Sequence, residues 1–166
     1  AADESPDVRL QLVVAACKIE GFPSLPVLHQ VLASAGDDVL IPRIVWRNLL
    51  PLLDRSGKEF LALVERGPVT PPVVNLLPRL IDKLLSAPRL EGEVIASALG
   101  LLAKHSPARA GDAVEALVNR TLNREITGDR LESLKRAVQP RLVGVTDAGL
   151  KSRTRWLLAA WDDASA

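Results

Sequence analysis

Few side chains in this sequence are of the types that act as nucleophiles, general bases or metal ligands. Its two histidines are His29 and His105, and its single cysteine is Cys17. Nucleophilic catalysis needs a serine or cysteine beside an oriented base, and the patterns Gly-x-Ser-x-Gly and Gly-x-x-x-x-Gly-Lys are absent from the sequence. We therefore expect no catalytic, cofactor-binding or metal-binding residue in this segment, and no enzyme activity of its own.

The histidines and the cysteine have simpler interpretations. Cys17 belongs to a run of Ala and Val, where a small buried hydrophobic side chain is expected. His105 stands at a predicted helix end, where an imidazolium suits the helix dipole, and His29 lies in a short partner helix. We expect structural or solvent-exposed roles for both. The carboxylates are expected to cap helices, because most fall at predicted helix ends, at positions 37, 38, 54, 82, 112, 129 and 147.

Basic residues are concentrated towards the end of the chain. Nine basic and four acidic residues lie between Arg120 and Arg155. Such an excess can bind nucleic acid or another anionic partner, and the residues assigned to this candidate basic surface are Arg120, Arg124, Arg130, Lys135 and Arg141. The other interpretation is a solvated face, in which the arginines pair with Glu125 and Asp129 along and between helix ends. We favour the solvated face.

The three tryptophans are candidate contact residues, since protein interfaces favour tryptophan. Trp46 lies in an apolar helix and is expected in the core. Trp161, near the end of the chain, is assigned either to the core or to a contact with the next module.

The composition favours helices. The chain has 166 residues, of which 48% are hydrophobic and 3% aromatic, with no tyrosine. Ala, Leu and Val dominate the apolar set, and this balance suits helices better than strands. The net charge of +1 excludes a composition built throughout for binding polyanions. No apolar run approaches the ~20 residues that cross a bilayer, so we expect no membrane insertion by this segment.

The stretch from Asp37 to Asp54 organises the predicted architecture. Its first residues can cap a helix, and its apolar residues then recur at the three- and four-residue steps of one buried face. The pattern Asn-Leu-Leu-Pro-x-Leu begins at Asn48 and returns at Asn75. A proline inside a helix removes a backbone hydrogen bond and bends the helix. Pro51 and Pro78 are therefore expected at equivalent bends of two repeated helices.

Similar helical patterns fill the rest of the chain between glycines and prolines. We predict nine helices, with the first members of successive pairs beginning near residues 7, 38, 70, 107 and 146. Spacings of roughly 30 to 40 residues are typical of solenoids of paired helices, and short connections make neighbouring helices antiparallel. The predicted fold is all-α: one domain over residues 1–166, an α-α superhelix in the form of a right-handed solenoid.

Several local features are expected within this plan. The first helix is apolar on two sides and should be sandwiched between neighbours. Ser56 should begin a helix, Asp129 should cap another, and Thr146 or Asp147 should cap the last one.

Asp7-Val8-Arg9 at the first helix and Asp38-Val39 at the second pair resemble the signature of HEAT repeats. The run from Asp7 to about Asp82 is similar to the HEAT segment of large bacterial membrane-bound dehydrogenase-like proteins. In that family a sugar-dehydrogenase-like β-propeller precedes the helical repeats, and a c-type cytochrome domain follows them. The resemblance implies haem c elsewhere in a longer protein, since this segment has no Cys-x-x-Cys-His, and an exported or periplasmic location in bacteria.

The sequence therefore predicts a non-catalytic HEAT-like scaffold or protein-interaction module within a larger dehydrogenase-like or cytochrome-containing protein. Because the chain does not begin with Met, we expect it to be a piece of that longer protein. The expected partners are another protein or neighbouring domains of the same chain. The alternative is a helical-repeat nucleic-acid-binding domain that uses the basic surface, and an independent enzyme comes third.

Overall fold

The computed structural model describes residues 5–163. Within this range the chain forms helices and no strand, so the all-α prediction is confirmed. Each stretch predicted to be helical contains a helix. The elements are α1 (Pro6–Lys18), α2 (Ser24–Ala33), α3 (Leu40–Leu49), a 3-10 turn (Leu50–Leu52), α4 (Leu53–Arg66), α5 (Pro71–Ser86), α6 (Gly92–His105), α7 (Pro107–Leu122), α8 (Gly128–Leu142) and α9 (Ala148–Asp163).

Contacts within the chain divide it into two compact units. The N-terminal unit ends at Leu76 and the C-terminal unit begins at Leu77, so the boundary falls inside α5. Each unit is described by itself below. The single domain over residues 1–166 and the superhelical arrangement stay predictions.

In the N-terminal unit, helices that are two apart in the sequence pack against each other. α1 contacts α3 and α2 contacts α4, in addition to the contacts α1–α2 and α2–α3 between successive helices. Burying a leucine, valine or phenylalanine side chain completely contributes about 1.5–3 kcal/mol. The side chains of this unit with no exposed surface include Val13, Leu28, Leu32, Ile41, Val45, Leu49, Phe60 and Val64.

The start of α3 follows the sequence prediction. One side-chain oxygen of Asp38 accepts hydrogen bonds from the backbone N–H groups of Leu40 (2.7 Å) and Ile41 (2.9 Å). It thus satisfies two of the donors that a helix start leaves free. The buried residues of α3 are four apart in the sequence, which confirms the periodicity predicted for this stretch.

The two repeated prolines differ in local conformation. Pro51 lies in the 3-10 turn between α3 and α4, and the helical path breaks five residues later, at Ser56 (φ −131°, ψ 22°). The boundary predicted at Ser56 is therefore present. Pro78 lies inside α5, which continues without interruption to Ser86. The two prolines are therefore not in equivalent local conformations, since Pro51 lies in a 3-10 turn and Pro78 inside a continuous helix.

Two other local predictions are wrong. α1 is not sandwiched: Val8 and Ile19 are 46% and 57% exposed, and its buried residues are Val13 and Ala16. Asp129 does not cap α8, because that helix begins one residue earlier, at Gly128. Its carboxylate lies in the first turn, where it still suits the helix dipole. Asp147 does cap the last helix, since it accepts the N–H of Leu150 at 2.8 Å.

The C-terminal unit shows the same alternation. α6 contacts α8 and α7 contacts α9, alongside the contacts α6–α7 and α8–α9. Gly92 lets α6 approach α8 closely, because a Cβ there would come within 3.0 Å of the Ser133 carbonyl oxygen. The side chains that are at most 1% exposed include Leu80, Ile95, Leu99, Leu102, Val114, Leu117, Leu134, Val138, Leu157 and Trp161.

Candidate functional site

Arg120, the first residue of the predicted basic surface, is paired with acidic side chains. One guanidinium nitrogen donates to Asp82 at 2.6 Å and to the Ser86 hydroxyl at 3.3 Å. The other donates to Glu125 at 3.3 Å, as the sequence predicts. The side chain is 22% exposed. Arg120 therefore ties the end of α7 to α5 within the C-terminal unit.

Arg130 and Lys135 bind carbonyl groups at helix ends. Arg130 donates to the carbonyl oxygens of Leu85 (3.2 Å) and Ala87 (3.0 Å), at the end of α5. Lys135 donates to the Trp161 carbonyl at 2.8 Å, near the end of α9, and pairs with Glu132 at 3.1 Å. Helix C-termini leave carbonyls without intrahelical partners and carry partial negative charge. These two cations are therefore structural groups of the C-terminal unit.

A third basic residue has the same role in the N-terminal unit. Arg9, from the HEAT-like triplet, donates to the carbonyl oxygen of Ser34 at 2.9 Å, directly after α2. A basic side chain thus meets the carbonyl end of another helix at α2, α5 and α9.

The remaining two residues of the basic surface are exposed. Arg124 follows α7 with a left-handed backbone conformation (φ 58°), and Arg141 lies near the end of α8. Three of the five predicted residues therefore have protein oxygens as partners, and two are turned to solvent.

Trp161 belongs to the core of the C-terminal unit. Its side chain is 1% exposed, so its ring has no free surface for a neighbouring module. Of the two assignments predicted for Trp161, the structure therefore places it in the core and not at a module contact. Trp46, predicted in the core, is half-buried.

Trp156 is the tryptophan that faces solvent. The sequence marks it as one of three candidate contact residues and gives it no assignment of its own. Trp156 is 64% exposed. Leu122, which lines a groove together with Trp156, is 57% exposed. The available signal was the spacing of Trp156 from Trp161. Five residues turn a helix by roughly 140°, so both rings cannot face one core.

The groove at Trp156 lies between α7 and α9, and we call it the α7–α9 groove. It has a volume of about 420 Å³ and is lined by Glu115, Val118, Asn119, Leu122, Trp156, Ala159 and Ala160. Residues 115–122 of α7 line it together with residues 156–160 of α9, while Arg153 lies over the earlier Gly111. The two helices therefore run in the same direction, as alternate members of antiparallel pairs would.

An ion-paired arginine borders this groove. Arg153 crosses Gly111, where a Cβ would collide with its guanidinium. Its nitrogens lie 3.6 Å from Asp112 and 3.4 Å from Glu115. The side chain is 36% exposed, so these pairs contribute little stability, typically below about 1 kcal/mol each.

In the N-terminal unit, the titratable side chains expected to be structural are partly or fully covered. Cys17 is half-buried, and burial raises the pKa of its thiol, opposed by a hydrogen bond with Ser24. His29 is 7% exposed and meets Phe60 edge to face, with ring centroids 6.5 Å apart. Burial lowers the pKa of this imidazole. His105, in the C-terminal unit, is exposed at the last residue of α6.

Among residues 5–163, no group of three or more His, Cys, Asp or Glu side chains is placed to hold a metal ion. No helix in this described range is long and apolar enough to cross a membrane. No protein-family model, curated protein or solved structure matches the chain. The resemblance to HEAT segments therefore stays a prediction from the sequence.

Proposed function

We propose that this chain is a non-catalytic, HEAT-like scaffold or protein-interaction module of a larger dehydrogenase-like or cytochrome-containing protein. The observation that supports this proposal best is the alternating contact pattern within each unit. α1 packs on α3 and α2 on α4, while α6 packs on α8 and α7 on α9. In a solenoid, each helix of a pair packs on its equivalent in the next pair.

The same pattern supports the part of the proposal that concerns a superhelix of antiparallel pairs, and its right hand is proposed through the resemblance to HEAT repeats. α7 and α9 run in one direction and are separated in sequence by α8, which contacts α9 and α6. Stacked pairs of this kind bury a continuous core and leave an extended surface for partners. The proposal extends this arrangement from each unit to the whole chain.

The α7–α9 groove is the surface to which we assign the interaction. It presents an exposed indole and an exposed leucine, Trp156 and Leu122, beside the small side chains of Ala159 and Ala160. Tryptophan is enriched among the residues that dominate protein binding energies. The partner we propose is a protein segment, either from a neighbouring domain of the same chain or from a second protein.

A protein partner is preferred to nucleic acid because of where the basic side chains go. Arg120, Arg130 and Lys135 already donate to protein oxygens. To bind phosphates, they would have to give up the hydrogen bonds that they make to carboxylates and helix carbonyls. The dehydrogenase and haem c chemistry, and the exported location, belong to this proposal through the resemblance alone.

Salt-dependent binding to duplex DNA tests the choice between the two partners. We expect weak binding of a labelled duplex at 50 mM salt, measured by fluorescence anisotropy, to vanish near 150 mM, because exposed charges are screened beyond ~8 Å. A nucleic-acid groove with five phosphate contacts would instead give a slope of log affinity against log salt near −4.5. Micromolar or tighter binding at 150 mM salt, lost on changing Arg130, Lys135 and Arg141 to Ala, would overturn the proposal.

A further inference from the structure

A pocket of about 390 Å³ opens beside α2 and the end of α4, inside the N-terminal unit. Ala33, Leu63 and Pro68 give it apolar walls, and it is also lined by His29, Gln30, Ser34, Arg66 and Gly67. Its volume is at the lower end of the range of about 300–1,000 Å³ typical of small-molecule sites. Apolar walls with a few convergent polar groups are the usual composition of such sites.

One polar group in the wall of this pocket lacks a partner. The His29 side chain is 7% exposed, and its Nε2 is buried without a hydrogen-bond partner in the part of the chain that the structure describes. Buried polar atoms in native proteins are almost always hydrogen-bonded, and an exception calls for an explanation. A ligand that hydrogen-bonds to Nε2 would supply one.

Gly67 lets the imidazole of His29 approach the backbone directly after α4. A Cβ at this position would collide with Cε1 of His29 and would lie 3.1 Å from Nε2. The same Cβ would lie 3.0 Å from the Leu63 carbonyl oxygen. The backbone φ of Gly67 is −100°, which any residue adopts. The glycine is therefore explained by the close approach of the imidazole and not by the backbone conformation.

Arg66 supplies a permanent charge at the same pocket. It is the last residue of α4 and is exposed. A guanidinium carries its charge at every accessible pH and presents paired N–H donors that match the two oxygens of a carboxylate. It is the only fully charged side chain among those that line the pocket.

We propose that this pocket binds a small monocarboxylate with a compact apolar body. Arg66 holds the carboxylate, Nε2 of His29 hydrogen-bonds to it, and the apolar body lies against Ala33, Leu63 and Pro68. A single guanidinium matches a single negative charge, and the apolar walls disfavour a strongly hydrated polyanion. The site lies in the N-terminal unit and is independent of the α7–α9 groove.

The site makes binding depend on pH. Burial lowers the pKa of His29 in the empty protein, so its imidazole is neutral at pH 8. A bound carboxylate favours the protonated imidazole and raises that pKa, whereas Arg66 next to it opposes protonation. When the carboxylate balances the charge of Arg66, Arg66 opposes protonation of the imidazole less. Binding therefore takes up protons, and affinity increases from pH 8 to pH 6.5.

Proton NMR of the imidazole rings gives a direct readout, because the protein has two histidines. His105→Gln assigns the two Hε1 signals. Titration with phenylacetate is expected to shift the His29 signal with a dissociation constant on the order of 1 mM, the affinity of a fragment of about ten atoms. The exposed His105 serves as the internal control and should not respond. Affinity should be several-fold higher at pH 6.5 than at pH 8.

Two further comparisons isolate the carboxylate. Arg66→Gln should weaken phenylacetate binding about tenfold, the worth of one charge-assisted hydrogen bond. Arg47→Gln is the matched control, because Arg47 is also an exposed arginine in the last turn of a helix, and it should change nothing. Phenylacetamide, which has the same body without the charge, should bind about tenfold more weakly.

Three results would overturn the proposal. The first is the absence of any His29 shift at 50 mM phenylacetate, a concentration roughly fifty times the expected dissociation constant. The second is equal binding of phenylacetamide and phenylacetate. The third is equal binding by Arg66→Gln and Arg47→Gln. Both arginines are on the surface, so neither variant threatens the fold, and both remain informative even if substitution of His29 destabilises the protein.

Discussion

In each unit of this protein a glycine makes room for a nitrogen-bearing side chain that comes from another helix. In the C-terminal unit Gly111 accommodates Arg153, and in the N-terminal unit Gly67 accommodates His29. Arg153 finds Asp112 at 3.6 Å and Glu115 at 3.4 Å. The buried Nε2 of His29 has no partner among the described residues.

The difference separates a structural contact from a candidate binding site. The guanidinium of Arg153 has carboxylates as partners, so its polar groups are satisfied within the protein and Gly111 serves packing alone. Where a buried nitrogen is left without a partner, the arrangement lacks one component that a ligand can supply. The two arrangements also differ in rigidity, because Arg153 can swing into solvent, whereas the imidazole is enclosed by Phe60 and Gly67.

The largest effect is expected for Gly67→Ala. The added methyl group would meet the enclosed imidazole ring and the Leu63 carbonyl oxygen, and overpacking of this kind costs about 2 kcal/mol. Urea unfolding should show the loss as a lower midpoint. The cost should fall by at least half when His29 is also Ala, because the truncated side chain no longer obstructs the methyl group. If the losses of stability caused by Gly67→Ala and His29→Ala are strictly additive, the close approach of the imidazole does not explain the glycine.

Acidification should destabilise the protein through His29. Burial lowers the pKa of the folded imidazole, so the unfolded chain takes up this proton first as the pH falls. The stability that depends on a neutral His29 is therefore fully present above the unfolded pKa of about 6.5 and is lost at lower pH. Urea midpoints at pH 7.5 and pH 5 should differ more in the wild type than in His29→Gln.

Exposed His105→Gln is the control for that experiment and should keep the wild-type difference. Equal losses of stability in wild type and His29→Gln between pH 7.5 and pH 5 would contradict burial of a neutral imidazole.

The smallest effect is expected for Gly111→Ala. The obstructing atoms belong to the end of the flexible Arg153 side chain, which can move to solvent at the loss of two exposed ion pairs. Alanine also favours the helix over glycine by up to about 1 kcal/mol, so the net change should lie within about 0.5 kcal/mol of zero. Gly100→Ala, in α6 with open space around it, should be stabilising by comparison. A loss above about 2 kcal/mol for Gly111→Ala would remove the contrast between the two arrangements.

Much of the fold follows from local patterns that can be read in the sequence. The cap at Asp38 and the buried residues four apart in α3 depend on neighbours within one or two helical turns. The cap at Asp147 and the break at Ser56 are equally local. Such features depend on spacing within one helix, so the all-α prediction was accessible from the residues alone.

The candidate sites depend on contacts between residues that are far apart in the sequence, and most of these contacts could not be predicted from local patterns. Arg130 was assigned to a surface, but its acceptors at Leu85 and Ala87 lie more than forty residues away. The buried imidazole of His29 meets Gly67, which directly follows a different helix, α4. Trp156 is the exception, because its spacing from Trp161 contained the answer. A position on a helix thus predicts which way a side chain faces, and only the packing of helices shows what it meets.

The proposed function is tested most directly by photo-crosslinking at the α7–α9 groove. A benzoylphenylalanine in place of Trp156, in the full-length protein in its own host, should give one dominant crosslink to a defined protein segment, identified by mass spectrometry. The same probe in place of Val143, which is 77% exposed and outside the groove, should give none. Crosslinks to nucleic acid, or identical crosslinking from both positions, would contradict a protein-binding scaffold that acts through this groove.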